Sequence, residues 1–403
     1  MKRELFRNVV IDEVPIEKVN VFYDDEGEVI VLPSLWLLQL SIKQEVWGWR
    51  MNGEFSRQGS SINRRRAKNV TKEFKPQTVV ENTLDNYIGH VYKLLNYISK
   101  NPKLNVHRTE NLTTRYLNYY LNDVLPEQLD SSESLRSHQS AISAYCNFLC
   151  AIGIWRIDQN RPTTINRKTR KYMADKRTRP RKISYIPRYE FNDLIRECSS
   201  QRDKLLLRMG YEVGLRTEEN TGLELHDYRS HKGLLSLFDE LDSKPHKMEW
   251  EYILRGKYTK GGKTGTIYFN RELLSAMREY YNSERKLHTE DLEEDCPTLF
   301  VRYDPEGMGK AISSEQGSNT FRSVKERLPH VNQILSYHDL RHSFATQLYH
   351  EELKNPSGQE NRSESAALEV VRSRLRHKEG SKTVFRYIRL HQQMLSREQE
   401  KHQ

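Results

Sequence analysis

Between residues 161 and 188 the chain carries eleven Lys or Arg residues against one acid, Asp175, and is broken by Pro162, Pro180 and Pro187. So dense a run of like charge resists burial in a core, and proline interrupts any long helix across it. The stretch is expected to be a solvated linker between two separately cored regions, and its charge also suits contact with phosphates. Arg167, Lys168, Arg170, Lys171, Arg179, Arg181 and Lys182 are the candidate phosphate contacts. A chain of 403 residues favours two or three domains. The expected division is an N-terminal region over 1–75, a helical domain over 76–160, the basic linker over 161–187, and a final domain over 188–403 with a C-terminal tail.

Lys and Arg outnumber Asp and Glu by 65 to 55, a formal net charge of +10. That favours a polyanionic partner such as nucleic acid, although a basic surface also serves solubility. Four cysteines lack paired metal-ligand spacing, and Cys146 and Cys150, inside an apolar helical run, read as buried small residues. Glu4, Arg7, Asp12 and Glu13 interrupt the start as a signal peptide, and no apolar run approaches the roughly 20 residues that span a bilayer. A reducing, cytoplasmic and nucleoid-associated location is expected, with no membrane partner.

In the first region, Val29 to Leu32 reads as a short strand ended by Pro33, followed by an amphipathic segment from Ser34 to Trp49. The polar stretch from Met51 to Lys75, with Asn63-Arg64-Arg65-Arg66, reads as a solvated loop or an arm on DNA. Leu84, Tyr87, Ile88, Val91, Leu95 and Ile98 recur at helical spacing, as do Leu135, Ile142, Tyr145, Cys146 and Leu149. Beyond Pro187, helices are expected over Tyr189 to Cys198, Asp203 to Val213, Leu273 to Tyr281, Phe344 to His350 and Ala366 to Leu375. Strands are expected over Trp250 to Leu254 and Thr266 to Phe269. The fold class is thus mostly α with a small β-sheet, an α+β arrangement.

Four short segments carry the chemistry. They are Gly214-Leu215-Arg216-Thr217-Glu218-Glu219, the turn from Lys257 to Gly265, His338-Asp339-Leu340-Arg341-His342, and Leu375-Arg376-His377 followed ten residues later by Tyr387. Two arginines can each offer paired donors to the non-bridging oxygens of a phosphodiester and match the charge of its pentacoordinate transition state. A tyrosine hydroxyl can attack phosphorus if a base takes its proton or nearby cations lower its pKa. Lysine or histidine can protonate the departing sugar oxygen. Gly262-Lys263-Thr264 looks like the end of a P-loop, but Lys257 stands where that motif needs glycine, so ATP is not expected. The acidic run Glu290 to Asp295 has the wrong spacing for a calcium loop and reads as a solvated face. No cofactor or metal is expected.

Together the segments resemble the signature of the tyrosine recombinase (phage integrase) family, over about residues 185 to 395. The resemblance makes Arg216 the first catalytic arginine with Glu219 as its acidic companion, and His338 and Arg341 the second motif. Lys260 becomes the hairpin lysine, with Lys263 and Lys257 as alternatives. His377 belongs to the final motif and Tyr387 is the nucleophile. Arg376 stands where the family commonly has glycine, the His377-to-Tyr387 interval is about one residue longer than usual, and Glu351 to Glu364 looks inserted. The family implies a helical DNA-clamping domain ahead of the catalytic domain, a C-shaped grip on double-stranded DNA, and a 3′-phosphotyrosyl intermediate. It also implies a homo-tetramer on two DNA sites, accessory DNA-binding proteins in some systems, and a place on mobile elements. The segment from Ile388 to Gln403, with few apolar anchors of its own, is a candidate for docking on a neighbour. A type IB topoisomerase-like enzyme and a catalytically silent DNA-binding regulator of the same fold are the alternatives.

Overall fold

Asp12 and Glu13 both take left-handed φ, 48° and 65°, and the two-residue turn they form joins β1 (Lys2–Ile11) to an antiparallel β2 (Val14–Tyr23). Such a turn follows the twist of the strands, but it is usually built from Asn and Gly. The computed structural model describes residues 1–52, 71–79, 81–102, 111–155, 163–176, 184–259, 262–354, 361–377 and 385–400. Helices dominate, and the strands form three separate antiparallel pairs. The chain divides into two units, Met1–Pro180 and Arg181–Gln403.

In the first unit, α1 (Val31–Lys43) begins where a strand was expected. Pro33 lies in its first turn, where its missing N–H has no intrahelical partner to lose. Gln44 adopts φ 50° and ends the helix. β3 (Glu45–Asn52) then pairs with β4 (Thr71–Thr78), so the end of the expected polar loop is a strand. Phe74 holds the pair by packing on Trp47 and Trp49, each ring 5.3 Å away. α2 (Glu81–Ser99), α3 (Thr114–Tyr119), α4 (Leu125–Gln128) and α5 (Ser132–Ala151) follow. Both helical stripes are core: Leu84, Ile88, Val91 and Leu95 meet Leu135, Ile142, Tyr145, Cys146 and Leu149 beneath Trp36.

The described part of the basic stretch is not extended. Asn118 and Asn122 fix its backbone at Thr164 and Asn166 through three hydrogen bonds of 2.8 Å, and the Asn166 side chain caps α6 (Arg167–Asp175). Thr169 and Met173, four apart, face the core, while Arg167, Lys168, Arg170 and Lys171 are exposed. One buried stripe was enough to dock a helix that carries four exposed cations. Arg179, Arg181 and Lys182 lie outside the described residues, as does Asn63 to Arg66.

The second unit runs α7 (Arg188–Glu197), α8 (Gln201–Arg208), α9 (Leu234–Ser243), β5 (Glu249–Leu254), β6 (Gly265–Asn270), α10 (Arg271–Tyr280), α11 (Gln316–Glu326), α12 (Tyr337–Leu353), α13 (Glu364–Arg374) and α14 (Phe385–Glu400). Trp250, Tyr252, Leu254, Ile267 and Phe269 face inward from the β5–β6 pair onto α8, α9 and α10. A second cluster stacks Phe191 on Tyr211 at 3.8 Å. A third lies among α12, α13 and α14, where Tyr387, Leu390 and Met394 meet Ala345, Tyr349, Ala367 and Val371. The C-terminal segment therefore has apolar anchors at helical spacing on its own chain. The acidic run is exposed, with Asp295 held by the buried Arg285 at 2.8 Å. Among the described residues no helix is long and apolar enough to cross a membrane.

If α6 is docked as described, Met173→Ala should destabilise the first unit by roughly 2–5 kcal/mol, as other buried truncations do. Lys171→Ala on the exposed face should change stability by less than about 0.5 kcal/mol. Urea denaturation of the two variants checks this, and equal effects would mean that α6 is not anchored.

Candidate active site

Gly214 has φ +71°, and a Cβ there would lie 2.5 Å from the Phe344 ring. Only glycine can end the turn that follows α8, and that turn aims the next residues at α12. Arg216 caps a short 3-10 helix, Thr217–Gly222, in which the Glu219 carboxylate reaches back. Glu219 Oε2 accepts the Arg216 backbone N–H at 2.8 Å and Oε1 accepts Arg216 Nη1 at 2.6 Å.

α12 begins with a reciprocal cap between Ser336 and Asp339. It buries Arg341 to 1% exposure, where Nη1 donates to Gly214 O and Nη2 to Leu375 O, the latter at 2.6 Å. Arg341 also approaches Glu219 Oε2 at 3.7 Å. Burial, with Arg216 close by, pushes the Arg341 pKa down to about 9, which leaves it cationic at neutral pH. Arg376, 12% exposed, donates to Glu219 Oε2 at 2.6 Å. Burial acts to raise the Glu219 carboxyl, but Arg376, Arg341 and Arg216 together hold it below the ordinary carboxylate range.

The histidines and tyrosine gather beside this cluster. His338 is exposed on the first turn of α12, and its ring meets that of His342 edge-on at 4.5 Å. His342 lies 5.9 Å from the Tyr387 ring, and His377 is roughly parallel to Tyr387 at 6.5 Å. Burial, followed by the fields of Arg341 and Arg216, lowers His377 to about 4. At neutral pH its ring is therefore neutral, with one nitrogen to donate and one to accept. Tyr387 itself is 1% exposed.

Six expected residues thus fall in one region: Arg216, Glu219, His338, Arg341, His377 and Tyr387. Lys260 lies outside the described residues. Of its alternatives, Lys257 is held by Glu224 at 3.0 Å, and Lys263 is exposed beside the turn. Two residues were missed. His342 was visible in the motif, and the ring contacts now place it beside Tyr387. Arg376 was visible only as a departure from the family's glycine.

The model of the phage integrase family matches residues 185–394, just over half of the chain. The chain belongs to the phage integrase family. Transposase A from transposon Tn554 of Staphylococcus aureus is 28% identical over 175 residues, which are 43% of this integrase-family chain and 44% of the relative. Tyrosine recombinase XerA of Pyrococcus furiosus is 29% identical over 147 residues, 36% and 41% of the two chains. The match thus spans less than half the length of either relative. The solved structure of XerH recombinase bound to a palindromic difH substrate aligns with a TM-score of 0.48, 17% identity and 75% coverage of each chain.

Because the Glu219 pKa is depressed in the folded protein, its stabilising contribution is complete above the unfolded value, near 4.3. It is lost as pH falls through the lower folded value. Glu219→Gln leaves three guanidinium groups without their shared anion and should cost about 3–5 kcal/mol at pH 7. The difference from wild type should shrink below about pH 4. Denaturant titrations across pH test this, and a pH-independent difference would assign the loss to shape alone.

Proposed function

We propose that this protein cuts and rejoins duplex DNA at specific sites through a covalent link to Tyr387. The observation that carries the reading is the gathering of Arg216 and Arg341 on Glu219, with His377 beside the Tyr387 ring. Membership of the phage integrase family supports it, and so do relatives named as a transposase and a Xer recombinase.

In the first step Tyr387 Oη bonds to the scissile phosphorus and the bond to the 5′ oxygen breaks. The phenolic proton leaves to a base, for which His338 at the open first turn of α12 is the candidate. The 5′ oxygen takes a proton from an acid, for which Lys260 is the candidate. The products are a 3′-phosphotyrosyl link and a free 5′-hydroxyl. In the second step a 5′-hydroxyl from another strand attacks the link and frees Tyr387. Each step exchanges one phosphoester for another, so the bond energy is retained. Arg216 and Arg341 neutralise the charge that builds on the non-bridging oxygens, and neutral His377 can donate a further hydrogen bond there. Tyr387 and Arg341 are each 1% exposed. By family resemblance, four protomers on two DNA sites form the working assembly.

Tyr387→Phe should bind duplex DNA normally and form no covalent adduct on a nicked suicide substrate, as read by denaturing gel. An adduct that survives the change would move the nucleophile elsewhere.

The exposed cations of α6 give a second test. Each lost phosphate contact lowers the slope of log affinity against log salt by about 0.9. Changing Arg167, Lys168, Arg170 and Lys171 to Gln should reduce the slope by roughly two to four units, equally on specific and random duplexes. An unchanged slope in a fluorescence-anisotropy titration would make α6 a solvated face.

A further inference from the structure

Arg376 occupies a backbone position that favours glycine. Its φ is +56°, and it closes α13 as the left-handed residue of a paired ending. Its own N–H donates to Ser373 O at 2.9 Å, and the His377 N–H donates to Arg372 O at 3.0 Å. A side chain in that conformation is strained, and strain of this kind persists where another interaction offsets it.

The offsetting interaction is with Glu219. Arg376 Nη2 sits 2.6 Å from Oε2, while Oε1 holds Arg216 at the same distance. Both carboxylate oxygens are thereby hydrogen-bonded by Arg216 and Arg376, and Arg341 joins them as an ion pair 3.7 Å from Oε2. The charge balance changes as well. Arg216 and Arg341 against Glu219 alone would leave a net charge of about +1, and Arg376 raises it to about +2, matching the charge that a phosphodiester reaches in its pentacoordinate transition state. The stem of Arg376 also crosses the start of β6, where a Cβ on Gly265 would lie 2.4 Å from Arg376 Cδ. The arginine at the end of α13 and the glycine at the start of β6 are one packing arrangement.

We propose that Arg376 is a positioning residue of the strand-cleavage site. It occupies Glu219 Oε2 beside Arg341, which is anchored on Gly214 O and Leu375 O, and it fixes the adjoining His377 beside the arginine pair. The inference rests on the reading of Tyr387 as the nucleophile.

The test compares Arg376→Gly and Arg376→Lys with wild type in the full chain, by adduct formation on a suicide duplex, DNA affinity and thermal melting. A backbone role and a positioning role predict opposite orders. Glycine relaxes the left-handed residue, so Arg376→Gly should melt no lower than wild type and bind DNA within about twofold. Its cleavage should nevertheless slow by about 10–100-fold, the usual range for a partner that orients a reacting group. Lysine keeps the charge and should recover at least about threefold of that loss. Gly265→Ala should slow cleavage in wild type and have little further effect in the Arg376→Gly background. Wild-type cleavage by Arg376→Gly, a lysine variant no faster than the glycine one, or equal effects of Gly265→Ala in both backgrounds would overturn the proposal. If wild type itself forms no adduct at Tyr387, the functional reading fails first and this inference falls with it.

Discussion

A single carboxylate, fully buried and shared by three guanidinium groups, ties together the parts of the second unit that matter most. Taking ions out of water is costly unless each finds a close partner. Here the partners come from the turn after α8, from the second turn of α12 and from the residue that ends α13. Each of those segments has its own local device to deliver its arginine. Gly214 makes the first turn possible, the Ser336–Asp339 cap sets the start of α12, and the left-handed ending of α13 turns Arg376 inward. Local backbone rules place the charges, and the charges in turn hold three distant stretches in register.

The β5–β6 pair is drawn into the same arrangement. Arg374 donates to both oxygens of Glu249, at 2.9 and 3.1 Å, and lies 3.7 Å over the Tyr268 ring. Arg376 crosses Gly265 two residues later. The end of α13 is therefore fastened to the hairpin at two points. The described base of the turn that carries the candidate lysines therefore borders the arginine cluster. Thr259 and Thr264 order that base from within, through hydrogen bonds to Lys263 O and from the Gly256 N–H.

Much of this was legible in the sequence because the signals were short and local. The order of the four motifs identified the cluster, and the three-and-four spacing of Leu84, Ile88 and Val91 marked a buried face directly. What stayed hidden had identifiable causes. The β1–β2 turn uses Asp12 and Glu13 at positive φ, without the glycine that normally advertises such a turn. Pro33 looked like a strand terminator and proved harmless in a first helical turn. α6 was masked by its charge, since only Thr169 and Met173 record the buried side. Arg376 was misleading for a related reason. A residue that breaks a backbone preference reads as an irregularity until its side-chain partner is visible, and Glu219 is 157 positions away.

Tyr387 also closes an apolar cluster, together with Leu390, Met394 and Val371. Under the proposed chemistry one aromatic ring serves two masters: it completes a core among α12, α13 and α14, and it carries the hydroxyl that attacks phosphorus. Aliphatic side chains on one side and the His342 and His377 rings on the other fix how that ring stands. A substitution at Leu390, Met394 or Val371 would therefore disturb the packing of α14 and the setting of that hydroxyl together.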